Sequence, residues 1–355
     1  MCSEIQRLVF AITTVLCALT VFSFDSALSQ TPFYQGKTIT LIVGAGAGGM
    51  GDIRARALAS VLATHIPGKP TIVFEFMPGA GGRKSANHFY NSVRPDGLTL
   101  LRVSSSIVPY AVLGEKGVKY DIDKLNYLGT TEHRLYYMFF TRKEAGLNSL
   151  DKLRAASGVR IGSSPVGHTG YIQSRIVAYL LDMKEPKIIP GYEGQDLDVA
   201  ISRGEVDARV ATTGTAIQMD LLNKERADFH TSIEIPKGYQ DERFAHLGLP
   251  DIERFVKSPK EKRLLDMMRG FRAVGTILML PPGTPKDLVA IMKEAVEKTH
   301  ADPAFHKEYK KLTGGDAPSP LSPDEQAQVV KELPRDPEII ALFKKFSGTA
   351  PLPSR

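Results

Sequence analysis

A strand-like run that leads straight into a cluster of glycines constrains this chain more than any other feature. Residues 38–43 read Thr-Ile-Thr-Leu-Ile-Val, and five glycines follow within positions 44–51, after which apolar residues recur at helical spacing to Ile66. A turn of this kind presents backbone N–H groups at the start of a helix, where an anion is stabilised. The segment therefore predicts an α/β fold with an anion-binding loop.

The identity of the anion has two interpretations. Gly44, Gly46 and Gly49 fit the G-x-G-x-x-G of a dinucleotide-binding turn, and Glu75 closes the next strand where a ribose-binding acid would stand. The pattern alone is a weak signal. A nicotinamide-dependent oxidoreductase is thus the alternative to a receptor for a small anion.

The N-terminus favours the receptor. An apolar run, residues 8–24, follows Arg7, and the small residues of 27–29 suit cleavage near Ser29, which predicts an export signal over residues 1–29 and a periplasmic protein. A membrane anchor is the other interpretation of this run. Both cysteines, Cys2 and Cys17, lie within residues 1–29, so we expect the mature chain to have no disulfide or thiolate metal site.

The charge of the chain agrees with an anionic small ligand. Its formal net charge is +6, but no block of five basic residues occurs. Dispersed charges are typical of a solvated surface and argue against binding to nucleic acid.

Strands and helices alternate in two successive sets, which predicts two domains, each a mostly parallel sheet flanked by helices. Strands are predicted at 38–43, 71–76, 98–103, 136–141, 159–161, 187–190 and 209–211. We expect domain 1 to comprise 30–133 plus 272–355, and domain 2 to comprise 134–271. Near the end, Thr284 and Ser322 are predicted N-caps, and the tail from Ser347 is expected to be loosely held.

Catalytic and metal-binding patterns are missing from the sequence. It contains no H-E-x-x-H, no G-x-S-x-G, no complete phosphate-binding Walker loop and no cysteine nucleophile in the mature chain. Asp121 and Asp123 begin like a calcium loop, but Leu125 occupies the third ligand position. We therefore expect a protein without enzymatic activity, cofactor or metal.

An ordered set of motifs resembles the Bug (TctC-like) solute receptors of tripartite tricarboxylate transporters. The set covers nearly the whole mature chain and consists of 41–52 with Arg56, 78–82, 95–100, 162–164, 191–194, 204–207, 281–285 and 302–303. The resemblance implies a type II, Venus-flytrap periplasmic-binding-protein fold. It also implies a monomeric receptor that captures a small, usually carboxylated, solute between its domains. Its implied partners are the membrane subunits of such a transporter, with a two-component sensor as the alternative.

The resemblance further implies that backbone N–H groups and hydroxyls of two loops hold the ligand, often through water. The corresponding positions here are Ala45, Gly46, Ala47, Gly48, Gly49, Met50 and Asp52 in domain 1; Ser163, Ser164, Val166, Gly167, His168 and Thr169 in domain 2; and Ser104, Ser105, Ser106 and Tyr192 at the border of the cleft.

Four positions depart from the family pattern. Ala45, Met50 and Gly51 replace an aromatic residue and a Gly-Thr pair, and Glu193 replaces a common lysine. Contact of Glu193, Arg54 or Arg56 with the ligand is left open.

Overall fold

Two five-stranded sheets flanked by helices form the computed structural model, which describes residues 31–193 and 195–355. The predicted export signal lies outside these residues. Within them, no helix is long and apolar enough to cross a membrane.

The first sheet has the strand order β2-β1-β3-β10-β4. Its strands are β1 (Thr38–Val43), β2 (Thr71–Phe76), β3 (Thr99–Val103), β4 (Asn126–Tyr127) and β10 (Ile277–Leu280). The first three are parallel, whereas β10 runs antiparallel to both β3 and β4. Helices α1 (Met50–His65), α2 (Arg83–Ser92) and α3 (Ile107–Val112) follow β1, β2 and β3. This order differs from the 3-2-1-4-5-6 order of dinucleotide-binding domains.

The second sheet has the order β7-β6-β8-β5-β9. Its strands are β5 (Leu135–Arg142), β6 (Arg160–Gly162), β7 (Lys187–Ile189), β8 (Ala208–Thr212) and β9 (Ala227–Ile235). Its helices are α4 (Leu150–Ala155), α5 (Thr169–Leu180), α6 (Asp196–Ser202), α7 (Thr213–Gln218) and α8 (Pro259–Ala273). β6 is parallel to β7 and β8, so the loops that follow these strands emerge at one edge of the sheet.

The late helices divide between the two sheets. They are α9 (Lys286–Ala301), α10 (Pro303–Leu312), α11 (Pro323–Lys331) and α12 (Pro337–Ser347). α9 and α10 pack on α1 and α11 packs beside β4, as expected for a return to the first domain. α12 instead contacts α5 and α8 of the second sheet. We propose a division in which residues 337–355 accompany the second domain.

The C-terminal tail is held more firmly than its composition suggests, so the expectation of a loose tail is wrong. Arg355 donates to Glu261 at 2.8 Å and to the carbonyl of Leu180 at 2.9 Å. Its guanidinium also lies 5.5 Å from the ring of Tyr179. Tyr171 and Arg175 also donate to the carbonyls of Gly348 and Ala350, so several side chains anchor a proline-rich segment that has no regular structure of its own.

One of the two predicted N-caps is confirmed. Ser322 and Glu325 form a reciprocal capping box at the start of α11. Thr284 does not cap α9, because its hydroxyl donates to the carbonyl of Pro281 at 2.8 Å and the helix begins one residue later than predicted, after Pro285.

Three segments connect the sheets, namely 128–134, 274–276 and 332–336. The first two are pressed together at Gly275, where a Cβ would meet the carbonyl oxygen of Glu132 at 2.3 Å. With φ at +71°, this position requires glycine. Close packing of the connecting segments brings the loop edges of the two sheets to face each other.

Candidate functional site

The glycine loop between β1 and α1 forms one wall of the cleft. Gly44 is enclosed, since a Cβ there would meet the Ser85 Oγ at 2.5 Å. The N–H of Gly48 donates to Asp52 Oδ2 at 2.8 Å, and Arg56 Nε lies 2.8 Å from Asp52 Oδ1. Asp52 therefore shapes the loop from inside, and its contact with a ligand stays a prediction.

The loop between β6 and α5 forms the opposite wall. His168 is the N-cap of α5, and its Nδ1 accepts from the N–H of Gly170 at 3.0 Å. Because Nδ1 is an acceptor, the ring is neutral with its proton on Nε2. Burial lowers the pKa of His168 to about 4, which agrees with that neutral form.

The two walls touch at several points. The Ser106 Oγ lies 3.0 Å from the Thr169 Oγ1 and accepts from the Thr169 N–H at 3.1 Å. The Gln195 amide donates to the carbonyl of Gly48 at 3.0 Å. Tyr110 packs against Gly167, where a Cβ would meet its ring at 3.0 Å. The described conformation therefore has its domains closed on each other.

Three hydroxyls and one guanidinium form a continuous row across the cleft, which we call the hydroxyl ladder. Its members are Ser104, Ser106, Thr169 and Arg272. Arg272 Nη1 donates to Thr169 Oγ1 at 2.5 Å, and the Ser104 and Ser106 hydroxyls are 3.0 Å apart. The Arg272 guanidinium also covers the ring of Tyr137 at 4.6 Å.

A second polar row crosses the interface nearby, and we call it the ion chain. In order, its members are Arg102, Glu132, Arg54, Asp316, Arg243 and Asp241. Successive charged atoms are between 2.6 and 3.7 Å apart. Three cations alternate with three carboxylates, so the chain as a whole is neutral.

Glu132 is the central carboxylate of the ion chain. Burial raises its pKa, but Arg102 and Arg54 lower it by more, with help from the hydroxyls of Thr131 and Thr276, so the net shift is downward. The group is 3% exposed and ionised. The buried carboxylate of Glu132 therefore forms ion pairs with two arginines, Arg54 and Arg102.

Arg272 has no such partner. Within residues 31–193 and 195–355, no carboxylate lies within 4.0 Å of its guanidinium, and its Nε is buried without a hydrogen bond. Burial and the neighbouring Arg54 lower its pKa to about 10, while the charge of Glu132 opposes that shift. Arg272 is therefore a cation at neutral pH that forms no ion pair with a carboxylate of the described residues.

The other predicted site residues lie on these two loops or on the segments next to them. Ala45, Gly46, Ala47 and Gly49 line the first, and Met50 begins α1. Ser104 and Ser105 follow β3, with Ser105 buried. On the second loop Ser163 is buried, Ser164 lies beside Gly170 and Val166 is 42% exposed. Tyr192 is half-buried against the core of the second domain and donates its N–H to the carbonyl of Ser163.

Among the described residues, no cluster of histidine, cysteine or acidic side chains has the arrangement of a metal site. Glu75, the acid that the dinucleotide interpretation requires, is an exposed residue of the edge strand β2.

Comparison with known proteins adds relatives by sequence and by structure. No family model matches the chain. A UPF0065 protein of Bordetella bronchiseptica is 32% identical over 111 residues, which is 31% of this chain and 32% of that protein. The aligned stretch thus spans about a third of the length of this curated relative.

Solved structures match over a much larger part of the chain. MatC from Rhodopseudomonas palustris, solved with bound malate, has a TM-score of 0.65 at 19% identity and covers 88% of this chain and 99% of its own. The periplasmic binding protein BugD has a TM-score of 0.66 at 20% identity, covering 88% and 98%. The chain has the fold of the Bug/TctC-like solute receptors. The predicted resemblance and the two-domain fold class are thereby confirmed.

Some residues of this candidate site escape sequence reasoning. Ser106 is not among them, since the sequence already places the serine run 104–106 at the border of the cleft. Gln195 carries no motif. Arg272 lies in the last turn of α8, where a basic side chain is ordinarily solvated and favours the helix dipole. Its place in the cleft follows from tertiary packing, which no local pattern encodes.

Proposed function

We propose that this protein is an extracytoplasmic solute-binding protein that closes its domains around a small organic anion, a carboxylate. It then delivers the anion to the membrane subunits of a tripartite tricarboxylate-type transporter. We further propose that it is exported to the periplasm, acts as a monomer and has no enzymatic activity. MatC, solved with malate, and the periplasmic BugD support this proposal through their shared fold.

One observation carries the proposal. The N-termini of α1 and α5 open onto the same cleft, and Ser106 and Thr169 join the two walls beside the unbalanced Arg272. Helix N-termini, hydroxyl donors and a guanidinium all favour an anion. The three features converge from both domains, so a ligand held there stabilises the closed state over the open one.

Closure follows from that difference in affinity. A ligand shifts the equilibrium between open and closed forms only as far as it binds one form better. Contacts on a single wall would bind both forms equally. The Ser106–Thr169 pair spans both walls, and so the closed form offers donors that the open form separates.

The oxidoreductase alternative receives less support. The first sheet lacks the dinucleotide-binding strand order, and Glu75, the acid that would bind the ribose, is an exposed residue of its edge strand. A receptor that feeds a sensor kinase shares all the features of the cleft. Genes for membrane subunits beside this one would favour the transporter, and a sensor-kinase gene would favour the other.

Calorimetric titration and thermal shift of the mature protein test the proposal. The panel contains mono-, di- and tricarboxylates, aromatic acids and amino acids, each paired with its uncharged amide. We expect a one-to-one complex with at least one acid, and a rise in Tm of several degrees at a hundredfold excess over Kd. Silence across the panel, or equal binding of the uncharged amides, would contradict the proposal. Fractionation with N-terminal sequencing checks export, for which we expect a periplasmic chain beginning near Gln30.

A further inference from the structure

Arg272 restricts the direction of hydrogen bonding in the hydroxyl ladder. A guanidinium only donates, so the Thr169 Oγ1 is an acceptor toward Arg272 and its own proton points elsewhere. The neighbour within reach is the Ser106 Oγ at 3.0 Å, which also accepts from the Thr169 N–H. In the arrangement where the Thr169 hydroxyl donates to Ser106, both lone pairs of Ser106 are engaged and its own proton is directed at Ser104.

Ser104 is the end of the ladder. In that arrangement its Oγ accepts from the Ser106 hydroxyl at 3.0 Å, in addition to the Ser106 N–H at 3.3 Å. Its remaining hydrogen has no acceptor among the described residues. The end of the ladder therefore presents an O–H donor to the cleft, and it has no lone pair left for a ligand donor.

The numbers of positive and negative charges at the interface can be compared. In the ion chain, Arg54, Arg102 and Arg243 are matched by three carboxylates. Arg134 borders the same region but is exposed to solvent, where a charge needs no partner. Arg272 is thus one positive charge in excess, and its Nη2 makes no hydrogen bond to the described residues.

We propose that the cleft selects a ligand through one carboxylate, which accepts from the Ser104 hydroxyl and balances the charge of Arg272. The rest of the ligand is then neutral or zwitterionic. A second carboxylate gains no further unpaired guanidinium from the hydroxyl ladder or the ion chain and still loses its hydration there. This inference rests on the proposed function and narrows its ligand from carboxylates in general to those that bring a single net negative charge.

Matched ligand pairs test the selection. Succinate and malate are each compared with the corresponding monoamide, which keeps one carboxylate and nearly the same shape, by calorimetric titration at pH 7.5. We also compare benzoate with phthalate. We expect the singly charged member of the best-binding pair to bind at least as tightly as the doubly charged one. A dicarboxylate that binds tenfold or more tightly than its monoamide would overturn the inference while leaving the proposed function intact. Absence of binding by every acid would overturn both.

Variants of Arg272 test its part in the selection. Arg272→Met removes the charge and the donor at similar volume, Arg272→Lys keeps the charge, and Arg94→Gln removes an exposed charge remote from the cleft as a control. We expect the methionine variant to lose tenfold or more in affinity for the singly charged acid, the lysine variant to lose less and the control to be unchanged.

Stability separates this role from a structural one. Since Arg272 has no carboxylate partner, its replacement leaves no buried acid unpaired, and we expect the Tm of the unliganded Arg272→Met protein to be unchanged or raised. Unchanged affinity in that variant would overturn the inference. A lowered Tm together with a proportionate loss of affinity for every ligand would show that Arg272 has a structural role, and this result would overturn the inference as well.

Discussion

The ion chain and the hydroxyl ladder both join the two domains, but they differ in how completely their charges are balanced. Every arginine of the ion chain has a carboxylate within 3.7 Å, whereas the guanidinium of the ladder has a hydroxyl and an aromatic ring. Removal of one partner from a buried ion pair destabilises the fold, because the other charge is left uncompensated. A guanidinium without a carboxylate partner, beside hydroxyl groups, instead indicates a site where an anionic ligand binds.

This comparison predicts that the ion chain governs stability and the ladder governs affinity. The largest effect is expected at Glu132, which contacts Arg54 and Arg102. Glu132→Gln should lower the free energy of unfolding by about 3–5 kcal/mol, since two buried guanidinium groups lose their shared carboxylate. Urea unfolding followed by circular dichroism measures it. Glu294→Gln is the control, because the exposed pair with Lys298 contributes about 0.5 kcal/mol. A decrease in the free energy of unfolding below about 1 kcal/mol for Glu132→Gln would show that the ion chain does not stabilise the protein.

Asp316 tests the link between the domains. Its two oxygens accept from Arg54 of the first domain and Arg243 of the second, at 3.2 and 2.7 Å. Asp316→Asn weakens both bonds and should cost the closed form about 1–3 kcal/mol. Small-angle scattering of the unliganded variant should give a larger radius of gyration, and ligand affinity should fall about tenfold. Asp324→Asn, an exposed acid paired with Lys293, should change neither quantity. Unaltered scattering would remove Asp316 from the account of closure.

Acidic pH is expected to lower the stability of the loop beside the hydroxyl ladder through His168. The pKa of His168 is about 4 in the folded protein against an ordinary value of 6.5, so the unfolded chain takes up a proton first as the pH falls. The contribution of His168 is fully present above pH 6.5 and is lost between pH 6.5 and 4. Because His168 is partly exposed, we expect about 1–2 kcal/mol.

A pair of histidine variants checks this sign. Unfolding of His168→Gln in urea should show a shallower loss of stability from pH 7 to 4.5 than the natural protein, whereas His246→Gln, at an exposed site, should follow the natural curve. Parallel curves for all three proteins would contradict the buried, neutral state of His168.

The smallest effect is expected inside the ladder. Thr169→Val keeps the shape but interrupts the row between Arg272 and Ser106. We expect a loss in ligand affinity of about fivefold, equal to about 1 kcal/mol, with the serine variant close to the natural protein. Titration of both variants measures it. Equal binding by valine and serine variants would mean that the row does not reach the ligand.

Sequence reasoning succeeded where a local pattern determines the structure. The runs rich in β-branched and aromatic residues at β1 and β2 and the glycine loop before α1 all lie where predicted. Ser322 caps its helix because the motif is complete within four residues. Such features depend on neighbours along the chain, and so a single sequence reveals them.

The predictions failed where distant contacts decide. Arg355 anchors the tail through Glu261, 94 residues away in sequence, and α12 packs on the second domain although it follows helices of the first. Arg272 likewise donates a hydrogen bond to Thr169, which is 103 residues away in sequence. The loops of the site were foreseeable from glycine and serine content, but the charge that we expect to select the ligand was not.

A crystal structure with the tightest-binding carboxylate tests the central claim most directly. The account predicts one ligand between the domains, with a carboxylate oxygen within hydrogen-bonding distance of the Ser104 Oγ and its charge facing Arg272. A ligand bound on a single domain, or one whose carboxylate points away from the hydroxyl ladder into solvent, would contradict it.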